Sequence, residues 1–90
     1  MISYKIAKES LKMISVYPNP TSNNFNIEGI EDYIGMDLQI SNIYGDLIST
    51  EKISGDQFGQ KNGILENGLY IITILDSGRK VASGKIIVVK

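Results

Sequence analysis

Apolar side chains in this chain recur at every second position far more often than at every third or fourth, and that period is the strongest constraint on what it can fold into. In Met36–Ile43, the side chains of Met36, Leu38 and Ile40 project to one face while Asp37, Gln39 and Ser41 project to the other, as a sheet with one wet face requires. In Leu69–Leu75, Tyr70, Ile72 and Ile74 share one face and Leu69, Ile71 and Leu75 the other, which predicts a central strand covered on both sides. Ile14–Tyr17, Asn24–Glu28, Leu47–Ile53 and Lys80–Val89 carry the same bias toward β-branched and aromatic residues, with a weaker run within Gln57–Leu65. With Ile2–Ala7 as an extra candidate, seven or eight strands are expected.

Between these runs stand Asn42-Ile43-Tyr44-Gly45-Asp46, Gly55-Asp56, Asn62-Gly63, Asn67-Gly68 and Asp76-Ser77-Gly78, each rich in residues that tolerate positive φ. Turns spaced at roughly 8–12 residues predict an all-β domain built as a sandwich. Only Ala7–Met13 has helical spacing, and it is too short to stand alone. The simplest partition is a linker over residues 1–13 that packs in part on the sandwich, followed by one domain over residues 14–90.

Composition removes most chemistries. The chain has no His, Cys or Trp, so it lacks the commonest general base, the commonest metal ligand and a thiolate nucleophile. Nine basic against ten acidic side chains leave no excess positive charge to neutralise phosphates, which argues against a nucleic-acid partner. The longest apolar stretch, Leu69–Leu75, is broken by Thr73 and falls far short of the ~20 residues of a membrane span. Residues 1–13 interleave Lys5, Lys8, Glu9 and Lys12 with apolar side chains, so they lack a signal-peptide core, and any first export step is expected to be directed by another segment.

The remaining motifs read as scaffold. Ser10-Leu11-Lys12 and Ser83-Gly84-Lys85 are proximity without the helical context of a Ser–Lys pair. Glu28, Glu31, Asp32 and Asp37 do not match a calcium loop and read as a solvated turn. Glycines are dispersed singly, with no phosphate-cradling spacing. Neither a catalytic residue, a metal site nor a cofactor is expected. Tyr17, Phe25, Tyr44 and Tyr70 lie in or beside strands and are expected to build the core, leaving Tyr4 and Tyr33 unassigned.

One segment is unusual. In Val16-Tyr17-Pro18-Asn19-Pro20-Thr21, two prolines fix φ on either side of Asn19 and remove two backbone donors, which predicts a rigid entry that blunts pairing at a sheet edge. With this opening, VYPNPTSNNFNIE (Val16–Glu28), the sequence continues through LQISNIYGDLI (Leu38–Ile48) and LENGLYIITI (Leu65–Ile74) to GKIIVVK (Gly84–Lys90). The ordered set resembles the C-terminal sorting domains of the type IX secretion system of Bacteroidetes. Asn42 and Asp46 depart from that pattern, standing where an acidic residue and a Lys are more usual around the turn at Gly45.

The resemblance implies a seven-stranded, antiparallel, Ig-like β-sandwich at the end of a larger exported protein, with no catalytic activity of its own. It implies recognition by the outer-membrane type IX translocon and removal by a sortase-like cysteine peptidase, with transit through the periplasm to the cell surface or the extracellular space. Residues 1–13 then form the link to an upstream cargo domain and contain or follow the cleavage point. The motif residues it assigns are Pro18, Asn19 and Pro20 in the opening, Gly45 in the middle turn, Gly68 and Tyr70, and Lys85, Ile86, Ile87, Val88, Val89 and Lys90 in the last strand. Pro18, Pro20, Gly45, Gly68 and Tyr70 are accounted for by fold. The end of the last strand is expected to carry recognition and, if its partner edge is open, to pair with another chain by strand addition, self-association included. The alternative is a non-catalytic Ig-like accessory or carbohydrate-binding module of an extracellular enzyme, which a stripe of exposed aromatic rings would favour.

Overall fold

The two faces of the longest strands set the architecture. In the computed structural model, which describes residues 12–22, 25–54 and 65–90, the strands are β1 (Lys12–Met13), β2 (Val16–Tyr17), β3 (Asn26–Ile27), β4 (Asp37–Asn42), β5 (Leu47–Lys52), β6 (Gly68–Asp76) and β7 (Arg79–Val88). A single 3-10 turn, Ile30–Tyr33, joins β3 to β4 and anchors itself through buried Ile30. Five strands form one sheet in the order β1-β7-β6-β4-β5, and β2 pairs with β3 in a second, two-stranded sheet.

The inward residues of the large sheet are those the alternation predicts: Leu38 and Ile40 from β4, Tyr70, Ile72 and Ile74 from β6, and Ala82, Ile86 and Val88 from β7. They form one cluster with Val16 and Ile27 from the second sheet, Phe25 and Ile30 beside it, and Ile53 and Leu65 from the ends of the loop between β5 and β6, which makes the domain a sandwich. β6 is central, flanked by β4 and β7. Its opposite face is only half covered, with Leu69 39% exposed and Ile71 and Leu75 partly buried, because among the described residues the second layer packs on the Tyr70 side. Both central residues of the β6–β7 hairpin, Ser77 at φ 55° and Gly78 at φ 86°, take the positive φ that a two-residue turn matching the strand twist demands.

Three departures from the sequence pattern matter. Lys12 and Met13 are strand rather than helix, and β1 runs parallel to β7 with Lys12 opposite Ala82 and Met13 opposite Ser83, so the domain is not wholly antiparallel. The run Ile14–Tyr17 is divided between the layers: Ile14 donates to the Ser83 carbonyl in the large sheet at 2.9 Å, and Val16–Tyr17 crosses to pair with β3. Tyr17 and Tyr44, expected in the core, are 50% and 83% exposed, whereas Phe25 and Tyr70 are buried. The expected strands at Ile2–Ala7 and within Gln57–Leu65, apart from buried Leu65, and the turns at Gly55-Asp56 and Asn62-Gly63 lie outside the described residues.

Candidate functional site

The four motifs, far apart in the sequence, meet at one end of the large sheet. Register explains it: Gly68 stands opposite Val88, Leu69 opposite Ile87, Tyr70 opposite Ile86, and Asn42, which opens the turn containing Gly45, opposite Tyr70. The Pro18–Pro20 segment reaches the same end from the other edge of β7.

That edge is closed by a side chain acting as backbone. Two residues beyond the excursion into the second sheet, Asn19 donates from Nδ2 to the Lys85 carbonyl at 3.1 Å and accepts from the Ile87 amide at 2.9 Å. Thr21 then repeats the pattern with its main chain, donating to the Ile87 carbonyl and accepting from the Val89 amide, both at 2.8 Å. A parallel ladder has this form, one donor and one acceptor straddling a residue of the neighbouring strand. A carboxamide carries the same donor and acceptor as a peptide unit, so Asn19 supplies the rung that two flanking prolines cannot donate to. Both X–Pro bonds, Tyr17-Pro18 and Asn19-Pro20, are cis. The expectation that the prolines blunt pairing is therefore reversed: residues 12–21 form a strap that pairs with β7 through β1, Ile14, Asn19 and Thr21.

The last strand divides by alternation. Ile86 and Val88 are core residues at 0% and 1% exposure, whereas Lys85, Ile87, Val89 and Lys90 face solvent. Its end is also tied on the β6 side, where the Lys90 amide donates to Asn67 Oδ1 at 2.8 Å. The condition for strand addition, an open partner edge on this strand, is not met, because the strap occupies that edge. Addition of another strand along this edge requires the strap to leave.

Opposite the strap, two local devices fix the neighbouring turns. Asn42 Oδ1 accepts from the Tyr44 and Asp46 amides, each at 2.9 Å, its Nδ2 donates to Asp46 Oδ2 at 3.3 Å, and Gly45 takes φ 92° to close the turn. Asn42 and Asp46, the two departures from the family pattern, thus supply the bonds that close the turn. Tyr70 folds its hydroxyl back onto Glu66, accepting from its amide at 3.1 Å and donating to its carbonyl at 2.8 Å, which clamps the loop before β6. This is the arrangement known in Ig-like sandwiches as a tyrosine corner. Gly68, at φ 154°, lies against the Tyr70 ring, where a Cβ would sit 3.8 Å from Cε2.

Sequence reasoning passed over Asn67 and Gly84. A Cβ on Gly84 would lie 2.8 Å from Ile14 Cγ1 and 2.9 Å from the Ile14 carbonyl oxygen, so glycine is what lets β1 lie against β7. A lone glycine inside an otherwise regular strand is the signal that pointed to such a close approach. Of the four acids that read as a solvated turn, Asp37 lies instead in β4 and forms a surface ion pair with Lys52 at 3.2 Å, while Glu28, Glu31 and Asp32 are exposed around the 3-10 turn. Among the described residues the exposed tyrosines do not form a stripe: Tyr17 is in β2 and Tyr44 in the β4–β5 turn, elements of different sheets.

In comparison with known families, the chain matches the family described as "Secretion system C-terminal sorting domain" over residues 15–89. That span runs from the residue before β2 through the end of β7. No curated protein matches the chain.

Proposed function

Because the chain belongs to the type IX secretion C-terminal sorting domains, signals that direct export to the cell surface or extracellular space, we propose that its reading surface is the outward half of the β7 end. Lys85, Ile87, Val89 and Lys90 carry recognition by the outer-membrane translocon. Pro18, Asn19, Pro20, Gly45, Gly68, Tyr70, Ile86 and Val88 hold that surface in place. The observation that carries this division is the alternation itself: Ile86 and Val88 are buried, while Ile87 and Val89 are 43% and 54% exposed on a strand tied along both edges. The family is not catalytic, and the role assigned to these residues needs no chemistry.

The domain is removed during or after export by a sortase-like cysteine peptidase that cuts ahead of Lys12. Support for that position comes from Lys12–Ile14, whose backbone is bonded into the β7 ladder and thus unavailable to a peptidase cleft.

Residues 1–90 fused to the C-terminus of a periplasmic reporter, in a host with and without its type IX translocon, test the reading. Translocon-dependent export that falls in an Ile87→Glu, Val89→Glu variant of unchanged melting temperature is the expected result. Equal export of wild type and variant refutes the assignment to this strand.

A further inference from the structure

Six of the large apolar side chains exposed among the described residues gather at the sheet end just described: Ile43, Tyr44, Leu47, Leu69, Ile87 and Val89. Leu69 and Ile87 are direct cross-strand neighbours on the outward face, and Leu47 stands opposite Ser41 on the next strands across. Ile43 and Tyr44 project from the turn that follows Asn42, beside the Asn67–Leu69 segment. Between turn and segment lies a shallow depression of about 210 Å³ flanked by Tyr44, Leu69 and Tyr70, room for one large side chain.

The turn is the telling part. Asn42 to Asp46 is closed by the three side-chain bonds of Asn42 and by two backbone bonds, Gly45 N to Asn42 O at 3.1 Å and Asn42 N to Asp46 O at 3.0 Å. A loop that only reverses the chain is served by small polar residues. This one holds an isoleucine 56% exposed and a tyrosine 83% exposed in a fixed conformation. Exposed apolar groups on a preorganised turn lose little freedom on binding, and tyrosine is among the residues that dominate interface energies.

Resting on the reading above, we propose that the β4–β5 turn is a second part of the recognition surface, docking with Leu69, Ile87 and Val89 on the component of the secretion system that reads the signal. The partner's complement is apolar, with one side chain seated in the depression beside Tyr44. Charges of both signs rim the patch, exposed Lys85 and Lys90 beside β7 and exposed Asp46 and Glu66 beside the turn and the start of β6, so the part the partner must match is the apolar centre. Family membership commits the occupant: the domain interacts with the secretion system.

The test uses the same reporter fusion, carrying Tyr44→Ser or the pair Ile43→Ser, Tyr44→Ser, with Ile34→Ser as the control because Ile34 is 53% exposed on the η-turn side. Loss of one anchor side chain is expected to cut translocon-dependent export by roughly tenfold, with Tyr44→Phe close to wild type and Ile34→Ser unaffected. Circular dichroism and thermal melting of the purified domain accompany each variant. Tyr44→Ser keeps the test valid if the pair lowers stability, since a ring so exposed holds no core. Export of Tyr44→Ser equal to wild type overturns the docking role while leaving the reading of β7 intact. Export of the wild type without the translocon overturns both. A dimer in sedimentation that Tyr44→Ser dissociates, or binding of a glycan that it abolishes, gives the face to another occupant and also overturns the proposal.

Discussion

Replacing Gly84 by alanine adds one carbon where Ile14, just past β1, lies against β7. The new Cβ would lie 2.8 Å from Ile14 Cγ1 and 2.9 Å from the Ile14 carbonyl oxygen. A side-chain rotation can relieve the first contact, but the second is with backbone, so β1 must move outward by several tenths of an ångström. That movement loosens the bond from Ile14 N to Ser83 O, now 2.9 Å, and the Lys12 and Met13 pairs behind it. Overpacking of this kind costs about 1–3 kcal/mol, and a weakened ladder bond adds about 0.5–1.5 kcal/mol. Alanine's stiffer unfolded chain returns about 0.4–1 kcal/mol. At mid-range these terms leave a net loss of about 2 kcal/mol, which in a domain this size lowers the melting temperature by about 8–16 °C. Urea and thermal unfolding of Gly84→Ala read the loss, and hydrogen exchange at the Ile14 amide locates it. Adding Ile14→Ala removes Cγ1 but not the carbonyl, so only partial recovery is expected. A single variant within 0.5 kcal/mol of wild type, or complete recovery in the double variant, refutes the backbone-contact argument.

Two further substitutions probe the clamps around β7. Asn19→Ala removes both side-chain rungs and is expected to lower stability by about 1–2 kcal/mol, with faster hydrogen exchange at the Ile87 amide while exchange at Val89, bonded to Thr21, stays slow. Tyr70→Phe keeps the ring in the core but frees the Glu66 amide and carbonyl, so a loss of about 1–2 kcal/mol with an unchanged urea m-value is expected from equilibrium unfolding.

What the sequence made legible was whatever a local period or a turn residue encodes. Leu38 with Ile40, and Tyr70 with Ile72 and Ile74, announce their faces because side chains alternate, and Asp76-Ser77-Gly78 announces its hairpin because positive φ needs such residues. Pairing between distant segments left no such mark. Lys12-Met13 has no strand-like pattern, and its place beside β7 is visible only in the glycine at position 84 that admits it. The motif residues were identified individually, but their meeting at one sheet end depends on the β4–β6–β7 register, which no stretch of sequence states. Asn19 was read through its prolines, as a break in pairing, whereas its side chain restores the pairing they interrupt. The tyrosines show the limit of propensity: Tyr70 is buried and Tyr44 is not, since aromatic preference for strands says nothing about a turn built to hold its ring in water.

The closure of β7 by the strap also has a consequence in time. Asn19 bonds to residues 66 and 68 positions later, and Thr21 bonds to Ile87 and Val89. Chains are synthesised from the N-terminus at about 5–20 residues per second, so Asn19 waits roughly 3–14 s for its partners to exist. Such long-range closure is slow relative to local hairpins, and it comes last. A chain released by the ribosome before Lys85 leaves Asn19 without either of its bonds to β7 and has no finished outward strand. Closure of this sheet edge is thereby tied to synthesis through Val89, so a paired strap reports that the whole of the outward strand has been made.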